Sequence, residues 1–490
     1  MSRVSRVVRG GFWLYGTSVV NNLMGFIYWM VISAIAGSEV LGTTSAVIGF
    51  SALIAGVLGL GVAVGLQRFL GMCLGNNDTE CLRRYFWSTA SFTIATYVGV
   101  GTILATLSLL GVSIGNFEPE MLRIAGLIVS LGFVTSMSSL IISSLRTDLL
   151  FVGSLSGNVL KLIVGITLVR LGFGWVGATL GYVCINLVML VINLLYARKL
   201  IGLKPTFSIN ALFDVIKAGV VSWLPSIIVL TGQWLGVLVI YTSVSAVETG
   251  HYYVAFAIAG FVTAIGSSML TLLLPVLSGM SGGREYAAGR VLKISLTIMT
   301  PVAVFVATYP WLPLGLLGRE YLRASTTLTV LLIGSIPLAM TACITSLVYA
   351  YGLYRYVLAI GLAQNIPRIT LYYLLTPTYG GLGTALAYVV GAFTGLTYSL
   401  HVARVRGFDV GLGRVLTIVA IPTSMAVVAY ILKLPWLLGL VLIATSYIAY
   451  VKVGILTRSD IREVAVAILS EKTVNKLYER FRPIIDALIP

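Results

Sequence analysis

The chain has 490 residues, 58% of them hydrophobic and 10% charged, with a mean hydropathy of +1.01, which excludes an ordinary soluble domain and leaves a protein made mostly of membrane-spanning helices. Lys and Arg outnumber Asp and Glu by 32 to 16 for a formal charge of +16, yet no basic domain or aromatic-interleaved patch collects that charge, so nucleic acid is not an expected partner.

Arg3, Arg6 and Arg9 precede an apolar run too long for a signal-peptide core and without a small-residue cleavage site, so it is expected to stay as the first helix. Apolar stretches near 12–36, 44–67, 87–111, 122–145, 152–171, 175–197, 218–241, 251–277, 294–317, 325–351, 357–376, 382–403, 415–432 and 436–453 can each cross a bilayer, predicting about 14 transmembrane helices in an all-α integral membrane fold. With the N-terminus inside, nearly all Lys and Arg fall on the cytoplasmic side, and Arg123, Arg170, Arg319, Arg323 and Lys433 fall outside; both termini are expected in the cytoplasm. Cys73, Cys81, Cys184 and Cys343 show no CxxC spacing, and the first two lie where thiols stay reduced, so all four read as structural thiols. From Ser459 onward, apolar residues at helical spacing alternate with Lys472, Lys476, Arg480 and Arg482, as expected of an amphipathic helix on anionic headgroups or against a partner.

The segment 152–198 can be laid on 358–404. Asn158 and Lys161 then meet Asn365 and Arg368, 207 positions on, and Gly177, Tyr182 and Arg198 meet Gly383, Tyr388 and Arg404 at 206. Gly42 and Gly250, like Leu66 and Leu274, are 208 apart. Duplication of a six-helix bundle accounts for this spacing. Because six is even, both copies enter the membrane in the same orientation, a parallel repeat of the kind that rocks about a central site. The expected divisions are an N-lobe (1–204), a C-lobe (205–406), two extra helices (407–454) and a cytoplasmic amphipathic tail (455–490).

Lys161 and Arg368 lie midway along their helices, where a cation costs roughly 2.5–3.5 kcal/mol. All 16 acidic residues fall in loops, at helix ends or in the tail, so no carboxylate is expected beside either cation. Ser154, Asn158, Lys161 and Gly165 form one helical stripe, and Gly361, Asn365, Arg368 and Tyr372 form its counterpart. An amide beside a cation suits phosphate or acidic sugar oxygens, bidentately so for Arg. Two readings stay open: the cations line a wet inter-lobe cavity, or they snorkel or bond carbonyls freed by Pro367. Asn21 and Asn22 on the first helix and Gln233 on the seventh are further candidates to read sugar hydroxyls, or else interhelical glue. Pro225 and other helix prolines fall in the second copy, which is expected to deform more during a transport cycle. His251 and His401 read as surface histidines, neither forming a metal site, and no P-loop motif appears; neither cofactor nor metal is expected.

The paired sequences GWVGATLGY (174–182) and GGLGTALAY (380–388), with GLQRFLG (65–71) before a short polar loop, make the chain similar to the multidrug/oligosaccharidyl-lipid/polysaccharide exporter superfamily, and most to its polysaccharide-flippase branch. The resemblance implies alternating access in the cell membrane and movement of a polyprenyl-(pyro)phosphate-linked oligosaccharide to the outer leaflet. It implies no enzymatic step, and lipid-linked glycan, membrane lipids and glycan-assembly enzymes as partners of a monomer. Peptidoglycan-precursor flippases place basic residues on the first, second and eighth helices; here only Arg68, at the inner end of the second, fits that pattern. A multidrug or small-solute exporter of the same fold is the alternative, although that branch usually carries an acidic residue in its first or seventh helix, where this chain is neutral.

Overall fold

Backbone inside a bilayer must satisfy its own hydrogen bonds, and uninterrupted apolar runs do so as helix. The computed structural model describes residues 3–457 and 460, apart from 272, 279 and 281, and is helical with no strand among the described residues. In chain order the helices are α1 (Arg3–Leu58), α2 (Val62–Gly75), α3 (Thr79–Leu109), α4 (Pro119–Ser130), α5 (Val134–Met137), α6 (Ser139–Ser143), α7 (Thr147–Leu168), α8 (Gly174–Leu200), α9 (Ile209–Ser243), α10 (Ala246–Thr271), α11 (Leu273–Ser278), α12 (Arg284–Thr308), α13 (Trp311–Gly315), α14 (Ser325–Ile333), α15 (Ser335–Ala350), α16 (Tyr354–Arg406), α17 (Leu412–Ile431), α18 (Trp436–Ala444) and α19 (Ser446–Lys452).

Among the described residues, ten helical segments are long and apolar enough to span a membrane. Three of them run to 46, 54 and 53 residues (Trp13–Leu58, Thr147–Leu200 and Tyr354–Arg406), more than twice the roughly 20 that cross once. Each is broken by glycine at positive φ, a conformation that side chains resist: Gly37 at 77°, Gly172 at 91° and Gly380 at 57°. Six of the expected spans thus appear as three kinked helices, and the last appears as the shorter apolar stretch Trp436–Lys452. Of the expected amphipathic tail (455–490), only 455–457 and Asp460 are among the described residues.

Two of the kinked segments fold back on themselves at repeat-related places. A Cβ on Gly157 would lie 3.1 Å from Ile185 Cα, and one on Gly177 2.8 Å from Leu168 Cβ, so α7 and α8 pack antiparallel. In α16 a Cβ on Gly391 would lie 2.6 Å from the Gln364 carbonyl, and one on Gly383 would overlap the Leu375 carbonyl. Gln364 is the counterpart of Gly157 and Gly391 that of Ile185, so both copies make the same crossing with the glycine moved to the opposite strand of the hairpin. Without hydrocarbon-excluding force between helices, this backbone-level approach supplies the packing.

Two compact units are formed. The first comprises Met1–Ile258, Leu314–Thr327 and Gly361–Gly391, and therefore holds both cation stripes. Its buried core runs through Leu66, Leu70, Phe86, Met137 and Val215. Gly101 and Gly126 admit each other's carbonyls, at 2.5 and 2.6 Å from a hypothetical Cβ, and join α3 to α4. Elsewhere in the unit, a Cβ on Gly42 would overlap the Ala246 carbonyl and one on Gly250 the Ser38 carbonyl. Ser38 and Ala246 are themselves 208 apart, as are the two glycines, so equivalent positions of the two copies touch each other reciprocally, as a local two-fold requires.

The second unit comprises Ala259–Pro313, Leu328–Ile360 and Ala392–Pro490. Its core includes Leu292, Leu296, Met299, Met340, Ile418 and Tyr450, with Tyr450 Oη donating to the Ile418 carbonyl at 2.6 Å. Asp460, 1% exposed, accepts from Lys293 Nζ at 2.5 Å, Arg290 Nε at 3.3 Å and Thr457 Oγ1 at 2.7 Å. Burial alone raises the Asp460 pKa, but the hydrogen bonds from Lys293 and Thr457 and the Lys293 charge outweigh it and hold the carboxyl at about 2.

Cys73 and Cys81, expected as reduced thiols, are joined in a disulfide. The turn between α2 and α3 brings them together: Asp78 caps α3 by accepting from the Cys81 amide at 2.9 Å, which points the start of α3 back at the end of α2. Cys184 and Cys343 are free and buried.

Candidate functional site

Lys161 sits on α7 and is 2% exposed; Arg368 sits on α16 and is 3% exposed. Each cation is therefore buried here, where a wet chamber was one expectation. Among the described residues no carboxylate pairs with either. Aromatic rings take that place. The Lys161 ammonium lies 4.9 Å from the Tyr28 ring centre and 4.8 Å from that of Tyr182, the two rings meeting edge-on at 5.4 Å. The Arg368 guanidinium lies 4.1 Å above the Tyr388 ring. A desolvated cation–π contact is worth about 2 kcal/mol, enough to offset much of the mid-span cost of each charge.

Sequence repeat accounts for the match: Tyr182 and Tyr388 are the landmark tyrosines 206 apart, each facing the cation of its own copy across the α7–α8 or α16 hairpin. Tyr28, from α1, has no such signal in the sequence. It enters because Gly165 and Gly181 leave it room, a Cβ on Gly181 lying 2.6 Å from its hydroxyl and one on Gly165 overlapping it. The hydroxyl is anchored by donation to the Ala178 carbonyl at 2.5 Å.

The amides of the stripes are beside their cations. Asn158 Nδ2 donates to Asn21 Oδ1 at 2.8 Å and to the Ser154 carbonyl at 2.8 Å, and Ser154 Oγ donates to Asn21 Oδ1 at 2.5 Å, which joins Asn21 of α1 to the Lys161 stripe. In the other stripe Asn365 Nδ2 donates to the Gly361 carbonyl at 2.9 Å while its Oδ1 accepts from Arg368 Nη1 at 3.3 Å. Arg368 Nη2 reaches the Tyr388 carbonyl at 3.4 Å, and its buried Nε has no hydrogen-bond partner among the described residues. An orphaned guanidinium N–H is a costly feature that an anion would relieve. Space for this cluster is made by α9, where a Cβ on Gly232 would overlap Asn365 Oδ1 and lie 3.2 Å from Arg368 Nη1. Tyr372 Oη donates to the Gly232 carbonyl at 2.9 Å and fixes that approach.

Three other candidates stand outside the two clusters. Asn22 is exposed and donates to the Ser18 carbonyl at 3.0 Å, Gln233 is exposed on α9, and Arg68 is exposed with its guanidinium 5.9 Å over the neighbouring Phe69 ring. His401 is exposed as expected, but His251 is not: it is 5% exposed, its Nδ1 lying 3.6 Å from Glu248 Oε2 and its ring edge-on to Tyr321. A histidine near a helix end lies at the surface only when that end is open, and here the Tyr321 ring packs against it. Among the described residues no three or more His, Cys, Asp or Glu side chains cluster as metal ligands would.

Comparison with known proteins follows the same lines. No curated protein matches the chain. Solved structures do: lipid II flippase MurJ in its inward closed conformation, at a TM-score of 0.74 and 15% identity over 89% of this chain and 97% of that one; and an inward-facing multidrug resistance MATE family transporter of the MOP superfamily, at 0.60 and 18% over 80% and 98%. A third is a MOP superfamily transporter from Pyrococcus furiosus, described with a binding pocket of reverse polarity, at 0.53 and 17% over 82% and 95%. They show the fold: an all-helical multi-pass membrane protein built like these transporters. A family model described as "Polysaccharide biosynthesis protein" matches residues 46–326, more than half of the chain, and the chain belongs to that family.

Proposed function

We propose that the chain is a flippase that carries a polyprenyl-(pyro)phosphate-linked oligosaccharide from the cytoplasmic to the outer leaflet of the cell membrane, with both termini in the cytoplasm. One observation carries the reading: two cations at repeat-equivalent mid-span positions are buried against rings and amides with no carboxylate beside them. Permanent ion pairs would be the cheaper way to bury structural cations. Charges kept free of acidic partners are available to a phosphate that arrives later, and the orphaned Arg368 Nε faces the same need. Family membership in polysaccharide biosynthesis supports a glycan as cargo, and the likeness to a lipid II flippase supports a lipid-linked one.

In this reading the N-lobe (1–204) and C-lobe (205–406) rock about the local two-fold marked by Gly42 and Gly250, exposing Lys161 and Arg368 to one leaflet and then the other. Phosphate oxygens draw both cations, Asn158, Asn365 and Asn21 hydrogen-bond the oxygens or the first sugar, and the prenyl chain stays in lipid. Asn22 and Gln233, polar and exposed on spanning helices, line the route of the remaining sugars. Glycan-assembly enzymes supply the substrate.

Proteoliposomes loaded with polyprenyl-pyrophosphate oligosaccharide test it by the fraction of glycan accessible to an external glycosidase over time. Lys161→Gln with Arg368→Gln is expected to reduce the rate at least about tenfold, the effect of losing a single charge-assisted contact of about 1.5–3 kcal/mol. Unchanged flipping in that variant refutes the site. Export of cationic drugs by the parent, without glycan flipping, would establish the multidrug reading that the MATE likeness favours.

A further inference from the structure

The two cation clusters are joined by an unbroken run of rings. Tyr182, beneath Lys161, meets Trp29 at 5.4 Å between ring centres, and Trp29 meets Tyr253 edge-on at 4.8 Å. Tyr253 meets Phe256 at 6.5 Å, and Phe256 meets Tyr388, beneath Arg368, edge-on at 5.6 Å. All spacings fall in the range where aromatic pairs attract beyond their area. Trp29 lies on α1 of the first copy and Tyr253 on α10 of the second, so this one contact is where the run passes from one copy to the other; the two residues are 6% and 7% exposed.

Resting on the flippase reading, we propose that Trp29, Tyr253 and Phe256 are positioning residues that hold Lys161 and Arg368 on Tyr182 and Tyr388 in the anion-free state, so that a phosphate must part this aromatic bridge to bind. Each cation is drawn toward its ring, and each ring is held by the bridge. An anion that takes the cation leaves the ring with one attraction fewer, and the bridge parts at the Trp29–Tyr253 edge, where the copies meet. Anion binding and separation of the copies are thereby one event. The apparent affinity for the anion is lowered by the fraction of molecules whose bridge is closed.

That coupling predicts a sign opposite to that of ordinary packing. Trp29→Ala removes the bridge without touching either cation, so more molecules are ready to bind. Full-length protein in nanodiscs titrated with polyprenyl phosphate should show Trp29→Ala binding about two- to tenfold more tightly than the parent, the range set by one aromatic pair. Trp29→Phe, which restores a ring, should return most of the way. Phe256→Ala breaks the same run from the Arg368 side and is expected to tighten binding likewise, which keeps the test open should Trp29→Ala fail to fold. Adding Lys161→Gln and Arg368→Gln should abolish the gain; a gain that survives both overturns the proposal. A parent that binds while Trp29→Ala and Phe256→Ala bind equally or more weakly also overturns it and leaves the flippase reading standing. A parent that binds no polyprenyl phosphate removes the flippase reading and the bridge with it.

Discussion

Gly232 tests the Arg368 cluster with the smallest possible change. Its place on α9 is helical, so the residue is there for space and not for backbone freedom: a Cβ would overlap Asn365 Oδ1 and come within 3.2 Å of Arg368 Nη1. Asn365 cannot yield freely, because it is 1% exposed and held at both ends, by the Gly361 carbonyl and by Arg368. Gly232→Ala gains about 1 kcal/mol of helix propensity. Against that stand overpacking at about 1–3 kcal/mol and the charge-assisted Asn365–Arg368 bond at about 1.5–3 kcal/mol, a net loss of about 1.5–5 kcal/mol. Gly99→Ala on α3 is the control, since a Cβ there meets nothing within 4 Å and only the propensity gain remains. Denaturation of the purified protein in detergent should show Gly232→Ala below the parent and Gly99→Ala level or above it. Equal midpoints for Gly232→Ala and the parent would refute the claim that this glycine makes room for the Arg368 cluster.

Two further outcomes are expected. Gly42→Ala and Gly250→Ala push a methyl into backbone carbonyls that cannot rotate away, and because the two contacts are reciprocal the substitutions should lower the unfolding midpoint by similar amounts; a loss in one alone contradicts the local two-fold. The Asp460 carboxyl has a folded pKa of about 2 against an ordinary 3.8, so its contribution to stability is complete above about pH 4 and disappears as pH falls through about 2. The difference in unfolding midpoint between the parent and Asp460→Asn should accordingly stay constant from about pH 5 to 8 and shrink below about 4; a difference that varies between 5 and 8 excludes this assignment.

Helical class, membrane placement and the duplication were legible because each follows from patterns longer than a single contact: apolar runs of spanning length, and landmarks repeated across five helices. What the pattern could not carry were partners chosen by three-dimensional proximity. Tyr182 and Tyr388 stood out as repeat landmarks, yet their role is seen only when each hairpin closes and sets the ring against the cation a helix away. Tyr28, Trp29 and Tyr253 had no marker, since an aromatic residue in a spanning helix is ordinary composition. His251 was misplaced for the complementary reason: its sequence position says helix end, and its burial comes with Tyr321, seventy residues further along the chain. The Cys73–Cys81 pairing also arose from geometry, the capped turn at Asp78, where thiol spacing and the expected compartment argued for reduced cysteines.

The choice of rings over carboxylates as partners bears on how an anion carrier can work at all. A carboxylate about 4 Å from a cation at an effective dielectric of 20 attracts it by about 4 kcal/mol, and an arriving phosphate would have to displace that charge as well as win the cation. A ring face gives about 2 kcal/mol when desolvated and carries no charge to repel the phosphate. Lys161 and Arg368 are thus held firmly enough to be buried at 2% and 3% exposure, and loosely enough for an anion to take them. On the flippase reading, the absence of acidic residues from both stripes and the presence of Tyr28, Tyr182 and Tyr388 are then one requirement. Burial of the empty site and release to substrate must differ by little, and replacing Tyr388 by Glu, which sets a fixed negative charge beside Arg368, should block flipping. A Tyr388→Glu protein that flips at the parent rate would refute that balance.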